Sequence, residues 1–184
     1  MSSNTSYLEL PDNLPIPEND GAAAHLIGLT LPNVRLESTN GDFVDLSNLP
    51  GTNVFFCYPM TGVPGVPLPV GWDDIPGARG CTPQACSYRD AYPTLKEKVN
   101  RIFGVSTQSS AYQRELSERL ELPYEILSDE NFALQIAIRL PTFEVAGKKL
   151  LKRLTLIIRD GRVEKVHYPV FPSNKDVEWV LGEI

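Results

Sequence analysis

Two of the chain's three cysteines, Cys81 and Cys86, lie in one short stretch with four residues between them. Thr82 and Pro83 suit a helix start, because a threonine hydroxyl caps exposed backbone N–H groups and proline lacks an N–H that would be unpaired there. Cys81 is therefore predicted to lie immediately before a helix N-terminus, where unpaired N–H groups and the helix dipole favour a thiolate over a thiol. With a second cysteine a turn further on, this position indicates redox chemistry.

Inert structural cysteines are the alternative interpretation of this pair, since many buried cysteines simply pack as small apolar residues. The third cysteine, Cys57, lies inside an apolar run and is expected to pack in the core. His25 and His167 stand far from any second metal ligand in the sequence, so surface or packing roles are expected for them. The chemistry is therefore expected at Cys81 and Cys86.

The composition limits the partners and compartments of the chain. Its formal net charge of −6 argues against non-specific binding to nucleic acid. Residues 1–21 have no basic start followed by an apolar run, as a secretory signal would, and no stretch reaches the roughly 20 apolar residues of a membrane span. An odd number of cysteines suits a reducing compartment better than a disulfide scaffold. We therefore expect a cytoplasmic protein that binds neither nucleic acid nor membrane.

The 184 residues are enough for one domain with a sizeable core. Residues 1–24 are polar and punctuated by prolines, which predicts an extended N-terminal arm, and residues 25–184 are expected to form the domain. Apolar runs of strand length alternate with helical patterns, and Asn40-Gly41 and Asp160-Gly161 predict two hairpin turns. This order predicts an α/β fold with a mixed central sheet, helices on both faces and an N-terminal hairpin.

The predicted strands are 34–37, 43–45, 53–58, 101–106, 124–128, 154–158 and 163–166, and the predicted helices are 82–100, 109–120, 130–140 and 176–183. Pro93 is expected to kink or break the first helix, and Ser173 or Asn174 to cap the last. Residues 60–80 form one long connection rich in proline and glycine, with Trp72 in its middle. A loop of this length inside a compact domain is usually functional.

The order of these residues resembles the peroxiredoxin family. A strand ending in Phe-Cys-Tyr-Pro is followed by Cys-Thr-Pro-Gln-Ala-Cys at a helix start and then by Tyr-Arg-Asp. Further matches follow in the expected order at residues 103–107, 127–129 and 153–158. From about Gly28 to the C-terminus the chain is most similar to the Q type, also called bacterioferritin comigratory protein, but with an unusually long loop before its first catalytic cysteine.

The resemblance implies a thioredoxin-like fold and a thiol peroxidase that reduces hydrogen peroxide and organic hydroperoxides. Cys81 would be the peroxidatic cysteine, which becomes a sulfenic acid, and Cys86 the resolving cysteine, which condenses with it to a disulfide. Arg153 falls where the family has an active-site arginine that holds the thiolate and the peroxide oxygens. A thioredoxin- or glutaredoxin-like donor would reduce the disulfide. No cofactor or metal is implied, and the protein would be a monomer or a dimer.

Two positions depart from the family's pattern. The threonine expected three residues before the peroxidatic cysteine is Ala78, and the expected proline is Asp74. The stretch from Tyr58 to Thr61 resembles the family's strand end, displaced by the long loop. Thr61 would supply the missing hydroxyl if the loop folds back. For Arg153 a solvated basic patch is the alternative, because Lys148, Lys149 and Lys152 come just before it in the sequence.

Two other functions are compatible with the cysteine pair. A soft-metal chaperone, for example for Cu(I), would use Cys81, Cys86 and His167 as ligands, although no histidine lies near the cysteines in sequence. A thiol–disulfide oxidoreductase acting on proteins usually carries Cys-x-x-Cys, which this chain lacks. The peroxidase interpretation is therefore favoured.

Overall fold

The computed structural model of the chain describes residues 8–184. The strands are β1 (Arg35–Ser38), β2 (Phe43–Asp45), β3 (Thr52–Cys57), β4 (Arg101–Ser106), β5 (Glu125–Ser128), β6 (Thr142–Val145), β7 (Lys148–Leu151), β8 (Leu154–Arg159) and β9 (Arg162–His167). The α-helices are α1 (Cys81–Leu95), α2 (Ser110–Arg119), α3 (Ala133–Ile138) and α4 (Asp176–Glu183). Seven strands form one sheet in the order β2-β1-β5-β4-β3-β8-β9, and β6 pairs only with β7.

The predicted mixed α/β architecture is confirmed. β3 pairs in parallel with β4 and antiparallel with β8, and all six of its residues are buried. Successive residues of a strand point to opposite faces, so Phe55 and Cys57 belong to one core cluster while Val54 and Phe56 belong to another. The first cluster includes residues of α3, and the second includes residues of α1, α2 and α4. Helices therefore cover both faces of the sheet.

The start of α1 differs from the prediction. Cys81 is the first residue of the helix rather than the residue before it, and Gly80 is the N-cap with a φ of 107°. The first helical hydrogen bond runs from the Gln84 N–H to the Gly80 carbonyl, 3.0 Å away. The predicted Thr82 cap is therefore wrong. Glycine adopts this left-handed φ without a Cβ penalty, so the chain can enter the helix one residue earlier.

The end of α1 also differs from the prediction. The helix ends at Leu95 instead of Asn100, and Pro93 lies inside its last turn without ending the helix there. Pro93 has no N–H, so the helix lacks one hydrogen bond at this position. The loss is tolerated because the helix ends two residues later. Asn100 bonds to the backbone of Thr52 through both its own N–H and its side-chain oxygen, which fixes the entry into β4.

Two further sequence predictions need correction, and one hairpin was missed. The hairpin of β6 and β7 was not predicted, and α3 is shorter than the predicted helix over 130–140. The Asp129 carboxylate accepts the Leu134 and Gln135 N–H groups, which sets the start of α3. The expected cap of α4 at Ser173 or Asn174 is wrong, because residues 173–175 form a 3-10 turn before the helix. The Ser173 hydroxyl donates instead to the Gly80 carbonyl, 2.8 Å away.

The described part of the predicted arm is bound to the residues that follow β7 and β9. Residues 1–7 lie outside the described residues, and residues 8–23 contain no helix or strand. Asp20 accepts hydrogen bonds from Lys152 at 2.7 Å and from Tyr168 at 2.8 Å, and these two bonds lower the pKa of Asp20 to about 2.

No helix among residues 8–184 is long and apolar enough to cross a membrane.

We expect Gly80→Ala to destabilise the protein more than Gly41→Ala does. Both glycines have a left-handed φ, so both substitutions carry a backbone cost of about 1–2 kcal/mol. Only at Gly80 would the new Cβ also collide with the Ser173 hydroxyl and lie 2.6 Å from Leu10 Cδ2, whereas nothing lies within 4 Å at Gly41. Thermal unfolding of the two variants measures the difference. Equal midpoints would show that the close packing around Gly80 is not rigid.

Candidate active site

Cys81 lies at the N-terminus of α1 and is buried, with 4% of its surface exposed. Its sulfur accepts a hydrogen bond from Nη2 of Arg153 at 3.1 Å, and lies 3.7 Å from the Ala78 carbonyl oxygen. The guanidinium and the first turn of the helix both stabilise negative charge on this sulfur. The arrangement suits a nucleophilic thiolate.

Arg153 stands between β7 and β8 and is buried, so it is not part of a solvated basic patch. Its Nε donates to the Gly77 carbonyl at 3.2 Å, and its Nη2 donates to the Ala78 carbonyl at 3.0 Å and to the Arg79 carbonyl at 3.4 Å. These bonds satisfy the buried cation and fix the loop that leads into Cys81. Because a guanidinium is planar, the same bonds also fix the direction of its contact with the sulfur.

A buried polar network lies behind Arg153, and most of it could not be predicted from the sequence. Nη1 of Arg153 donates to Oε1 of Gln84, whose Nε2 donates to the Asp176 carboxylate at 2.8 Å. The hydroxyls of Tyr88 and Thr155 donate to the same carboxylate oxygen. One signal was available: Gln84 follows Cys81 by three residues, which places both side chains on one face of the helix. Asp176 was predicted only as the first residue of α4.

Thr61 does come close to Cys81. The two residues line the same small crevice of about 10 Å³. The N–H and the hydroxyl of Thr61 both donate to Oε1 of Gln108, and Nε2 of Gln108 donates back to the Thr61 carbonyl at 3.1 Å. The Tyr112 hydroxyl also donates to that carbonyl, at 3.0 Å. Thr61, four residues beyond the end of β3, is thus fixed by α2 and the loop before it. Gln108 is a supporting residue that the sequence did not reveal.

The long loop folds back over the site. Trp72 is buried against Ala78 and Leu150, and its ring centroid lies 6.2 Å from that of Phe143. The unpredicted hairpin of β6 and β7 supplies both Phe143 and Leu150, so it forms the support on which this loop packs. Trp72 therefore acts as the packing anchor that brings the loop from Met60 to Gly80 into contact with the crevice.

The other two cysteines differ from Cys81 in their surroundings. Cys57 is fully buried in the core cluster on the opposite face of the sheet, and burial raises the pKa of its thiol. Cys86 is half-buried in the same helix as Cys81, and burial raises its pKa as well. All three thiols are free. Of the three, only Cys81 has a guanidinium on its sulfur among the contacts of residues 8–184.

Residues 8–184 contain no group of three or more His, Cys, Asp and Glu side chains that could hold a metal ion. His167 pairs through Nδ1 with Asp176 at 2.8 Å and stacks on Trp179, with ring centroids 4.6 Å apart. The soft-metal site considered above, with Cys81, Cys86 and His167 as ligands, is therefore not formed. His25 is exposed and its Nε2 lies 2.9 Å from the Ile138 carbonyl, which agrees with the expected surface or packing role.

Comparison with known proteins places this geometry in a family. The chain matches the sequence model of the family described as Redoxin over residues 27–181. A chloroplastic peroxiredoxin Q of Sedum lineare is 27% identical over 97% of this chain and 88% of its own length. A chloroplastic peroxiredoxin Q of Oryza sativa subsp. japonica is 26% identical over 82% of this chain, which spans 62% of that relative.

Solved structures share the fold. Peroxidoxin BcpB from Mycobacterium tuberculosis superposes with a TM-score of 0.66 at 24% identity, over 85% of this chain and 94% of its own. The PrxQ of Xylella fastidiosa superposes with a TM-score of 0.67 at 18% identity, over 85% and 93% of the two chains. The predicted thioredoxin-like fold is confirmed by these likenesses.

Removal of the Arg153 guanidinium should make Cys81 less reactive. We expect Arg153→Ala to slow alkylation of Cys81 by iodoacetamide at neutral pH by about 10- to 100-fold, because a hydrogen bond to a charged group contributes about 1.5–3 kcal/mol. Arg153→Lys keeps the charge, but its single ammonium cannot reach both the sulfur and Gln84, so an intermediate rate is expected. Peptide mass spectrometry gives the rate for each cysteine. Unchanged alkylation of Cys81 in Arg153→Ala would contradict this role.

Proposed function

This chain belongs to the redoxin family and, within it, to the Q-type peroxiredoxins, which are thiol peroxidases; from this premise we propose that it reduces hydrogen peroxide and organic hydroperoxides through Cys81. The observation that carries the assignment to Cys81 is the 3.1 Å contact between its sulfur and the buried guanidinium of Arg153. Cys57 and Cys86 have no comparable cation on their sulfur among the contacts of the described residues, and burial raises the pKa of both.

In the first step, the Cys81 thiolate attacks one oxygen of the peroxide. The S–O bond forms as the O–O bond breaks, which leaves a sulfenic acid on Cys81 and releases an alkoxide or hydroxide that takes up a proton. Negative charge moves from sulfur onto oxygen during this displacement. Arg153 and the first turn of α1 lie where they can stabilise charge at both places.

Thr61 is proposed to orient the peroxide in the crevice beside Cys81. The usual threonine position three residues before the cysteine is Ala78, which has no hydroxyl and is fully buried. The Thr61 hydroxyl donates to Gln108, so its oxygen remains an acceptor for the O–H of an incoming hydroperoxide. The long loop would thus displace the hydroxyl in the sequence while keeping it beside the sulfur.

In the second step, Cys86 resolves the sulfenic acid. Its thiol attacks the Cys81 sulfur, the S–O bond breaks, and water leaves as the disulfide forms. Five residues along an intact helix advance about 7.5 Å and turn about 140°, which separates their Cα atoms by roughly 8–9 Å. A disulfide rarely spans more than about 7 Å between Cα atoms. The start of α1 must therefore unwind before Cys86 can react.

The proposed reductant is a thioredoxin- or glutaredoxin-like dithiol, which reduces this disulfide and regenerates both thiols.

We propose the cytoplasm as the compartment, supported by three free cysteines and an odd cysteine count. The redoxin match over residues 27–181 supports a catalytic domain at 25–184 preceded by an arm at 1–24.

Cys81→Ser should abolish peroxide consumption with a thioredoxin system, because serine cannot act as the thiolate nucleophile. Cys86→Ser should retain the first step and lose turnover, since its sulfenic acid has no resolving partner in the chain. Cys57→Ser is the matched control and should retain most of the turnover. Peroxide consumption and single-turnover rates measure these effects. Robust turnover by Cys81→Ser would overturn the assignment, and a disulfide between Cys81 and Cys57 in peptide mapping would overturn the resolution step.

Thr61→Val should slow the reaction of Cys81 with peroxide, because it removes a hydroxyl while keeping the side-chain shape. A lost hydrogen bond between uncharged groups corresponds to about 0.5–1.5 kcal/mol, which is about two- to tenfold in the second-order rate constant. Thr61→Ser keeps the hydroxyl and is the control, with a rate close to that of the unmodified protein. Stopped-flow measurement of the first step gives the constants. If Thr61→Val reacts as fast as Thr61→Ser, Thr61 has a structural role only.

A further inference from the structure

The Asp176 carboxylate is fully buried and collects four side chains. One of its oxygens accepts hydrogen bonds from Nε2 of Gln84 at 2.8 Å, from the hydroxyl of Tyr88 at 2.8 Å and from the hydroxyl of Thr155 at 2.6 Å. Its other oxygen pairs with Nδ1 of His167 at 2.8 Å. Burying a carboxylate is costly unless it is fully hydrogen-bonded, so these four partners explain how the group is tolerated inside the protein.

Two of the four partners belong to the segment that must move. Gln84 and Tyr88 stand four residues apart on one face of α1, between and just beyond the two cysteines, whereas Thr155 and His167 lie on strands of the central sheet. The Tyr88 ring also stacks on Phe56 with centroids 4.2 Å apart. Unwinding the start of α1 removes donors from a buried carboxylate, while the two donors from the sheet stay in place.

We propose that Asp176 is a positioning residue that clamps the start of α1 in its helical form, and that this clamp sets how fast Cys86 reaches the Cys81 sulfenic acid. The inference rests on the proposed function, since it concerns the second step of that reaction. Here the Asp176 clamp means this carboxylate with its two α1 donors, Gln84 and Tyr88.

In the reduced protein the clamp also orients the site. A glutamine amide has one acceptor oxygen and one donor nitrogen. The Asp176 oxygen that accepts the hydroxyls of Tyr88 and Thr155 also accepts the nitrogen of Gln84, which leaves the Gln84 oxygen facing Arg153. The Tyr88 hydroxyl stays protonated as a donor, since burial and the neighbouring carboxylate raise its pKa well above the usual value. The clamp therefore favours the arrangement that reacts with peroxide over the arrangement that forms the disulfide.

The competition between the helical and the unwound start of α1 also decides whether the sulfenic acid becomes a sulfinic acid or a disulfide. While α1 stays helical, the sulfenic acid on Cys81 is exposed to a second hydroperoxide, which transfers one oxygen to sulfur, gives a sulfinic acid and leaves as alcohol or water. Once α1 unwinds, Cys86 displaces water from the sulfenic acid and protects it as the disulfide. A tighter clamp should raise the sulfinic acid fraction at high peroxide, and a weaker clamp should lower it.

Two substitutions that each remove one hydroxyl distinguish the effect of the clamp from an effect on the overall stability of the protein. Tyr88→Phe removes one hydrogen bond to Asp176 from α1 and keeps the ring that stacks on Phe56. Thr155→Val removes a hydrogen bond to the same oxygen from β8 and leaves both α1 donors. Both variants lose one bond to the same buried carboxylate, so their midpoints of thermal unfolding should fall to a similar extent. Only Tyr88→Phe weakens the clamp.

The reduced proteins are mixed with hydrogen peroxide without any reductant, and mass spectrometry follows the sulfenic acid, the disulfide and the sulfinic acid over time. We expect Tyr88→Phe to form the disulfide about two- to tenfold faster than the unmodified protein and to accumulate less sulfinic acid. Thr155→Val should match the unmodified protein in this partition. Amide exchange of residues 82–89 in the reduced state should be faster only in Tyr88→Phe.

The inference is overturned if Tyr88→Phe partitions between disulfide and sulfinic acid as the unmodified protein does, or if Thr155→Val shifts the partition equally. Failure of the proposed function has a different signature. In that case the unmodified protein itself would form no sulfenic acid on Cys81, or no disulfide between Cys81 and Cys86, whatever residue stands at position 88.

Discussion

The buried guanidinium of Arg153 is the interaction on which the site depends. A cation removed from water must be surrounded by acceptors, and here the carbonyls of Gly77, Ala78 and Arg79 provide them, together with the Cys81 sulfur and the Gln84 amide. The loop before the cysteine therefore adopts a shape that satisfies the arginine. That shape in turn places the Cys81 sulfur at the N-terminus of α1, where the Arg153 guanidinium and the positive end of the helix dipole both act on it.

The entry into α1 follows from the same constraint. After three carbonyls that turn toward Arg153, the chain must reverse into a helix within one residue, and Gly80 does so with a left-handed φ. Its carbonyl accepts both the first helical N–H, from Gln84, and the Ser173 hydroxyl. A side chain at position 80 would have no room between Leu10 and Ser173. Glycine is thus required there by conformation and by packing together.

Two neighbouring hydrogen-bond networks hold the two sides of the site independently. Gln108 and Tyr112 fix the backbone of Thr61 on one side of the crevice, where the peroxide is proposed to bind. Asp176 fixes Gln84 on the opposite side of Arg153, and through it the orientation of the guanidinium. The first network has no residue in α1, whereas the second includes two. The Thr61 side can therefore stay rigid if the start of the helix opens, which suits the proposed reaction, whose second step requires movement.

The sequence by itself determined the order of the elements and the proposed location of the chemistry. Apolar runs such as β3, and the Asn40-Gly41 and Asp160-Gly161 turns, depend on residues close together in the chain, so the α/β fold could be predicted from local pattern. The cysteine pair and its helix start are local in the same way. The resemblance to a family added Arg153, which local pattern alone would have left in a surface patch.

Tertiary structure decided which distant residues meet at the sulfur. Thr61 and Cys81 are separated by a long loop, and only the packing of Trp72 on the unpredicted hairpin brings them to one crevice. Asp176 reaches Gln84 from the far end of the chain because α4 and α1 cover the same face of the sheet. Such contacts leave no periodic signal, since they depend on how whole elements pack and on buried polar groups finding partners wherever the fold places them.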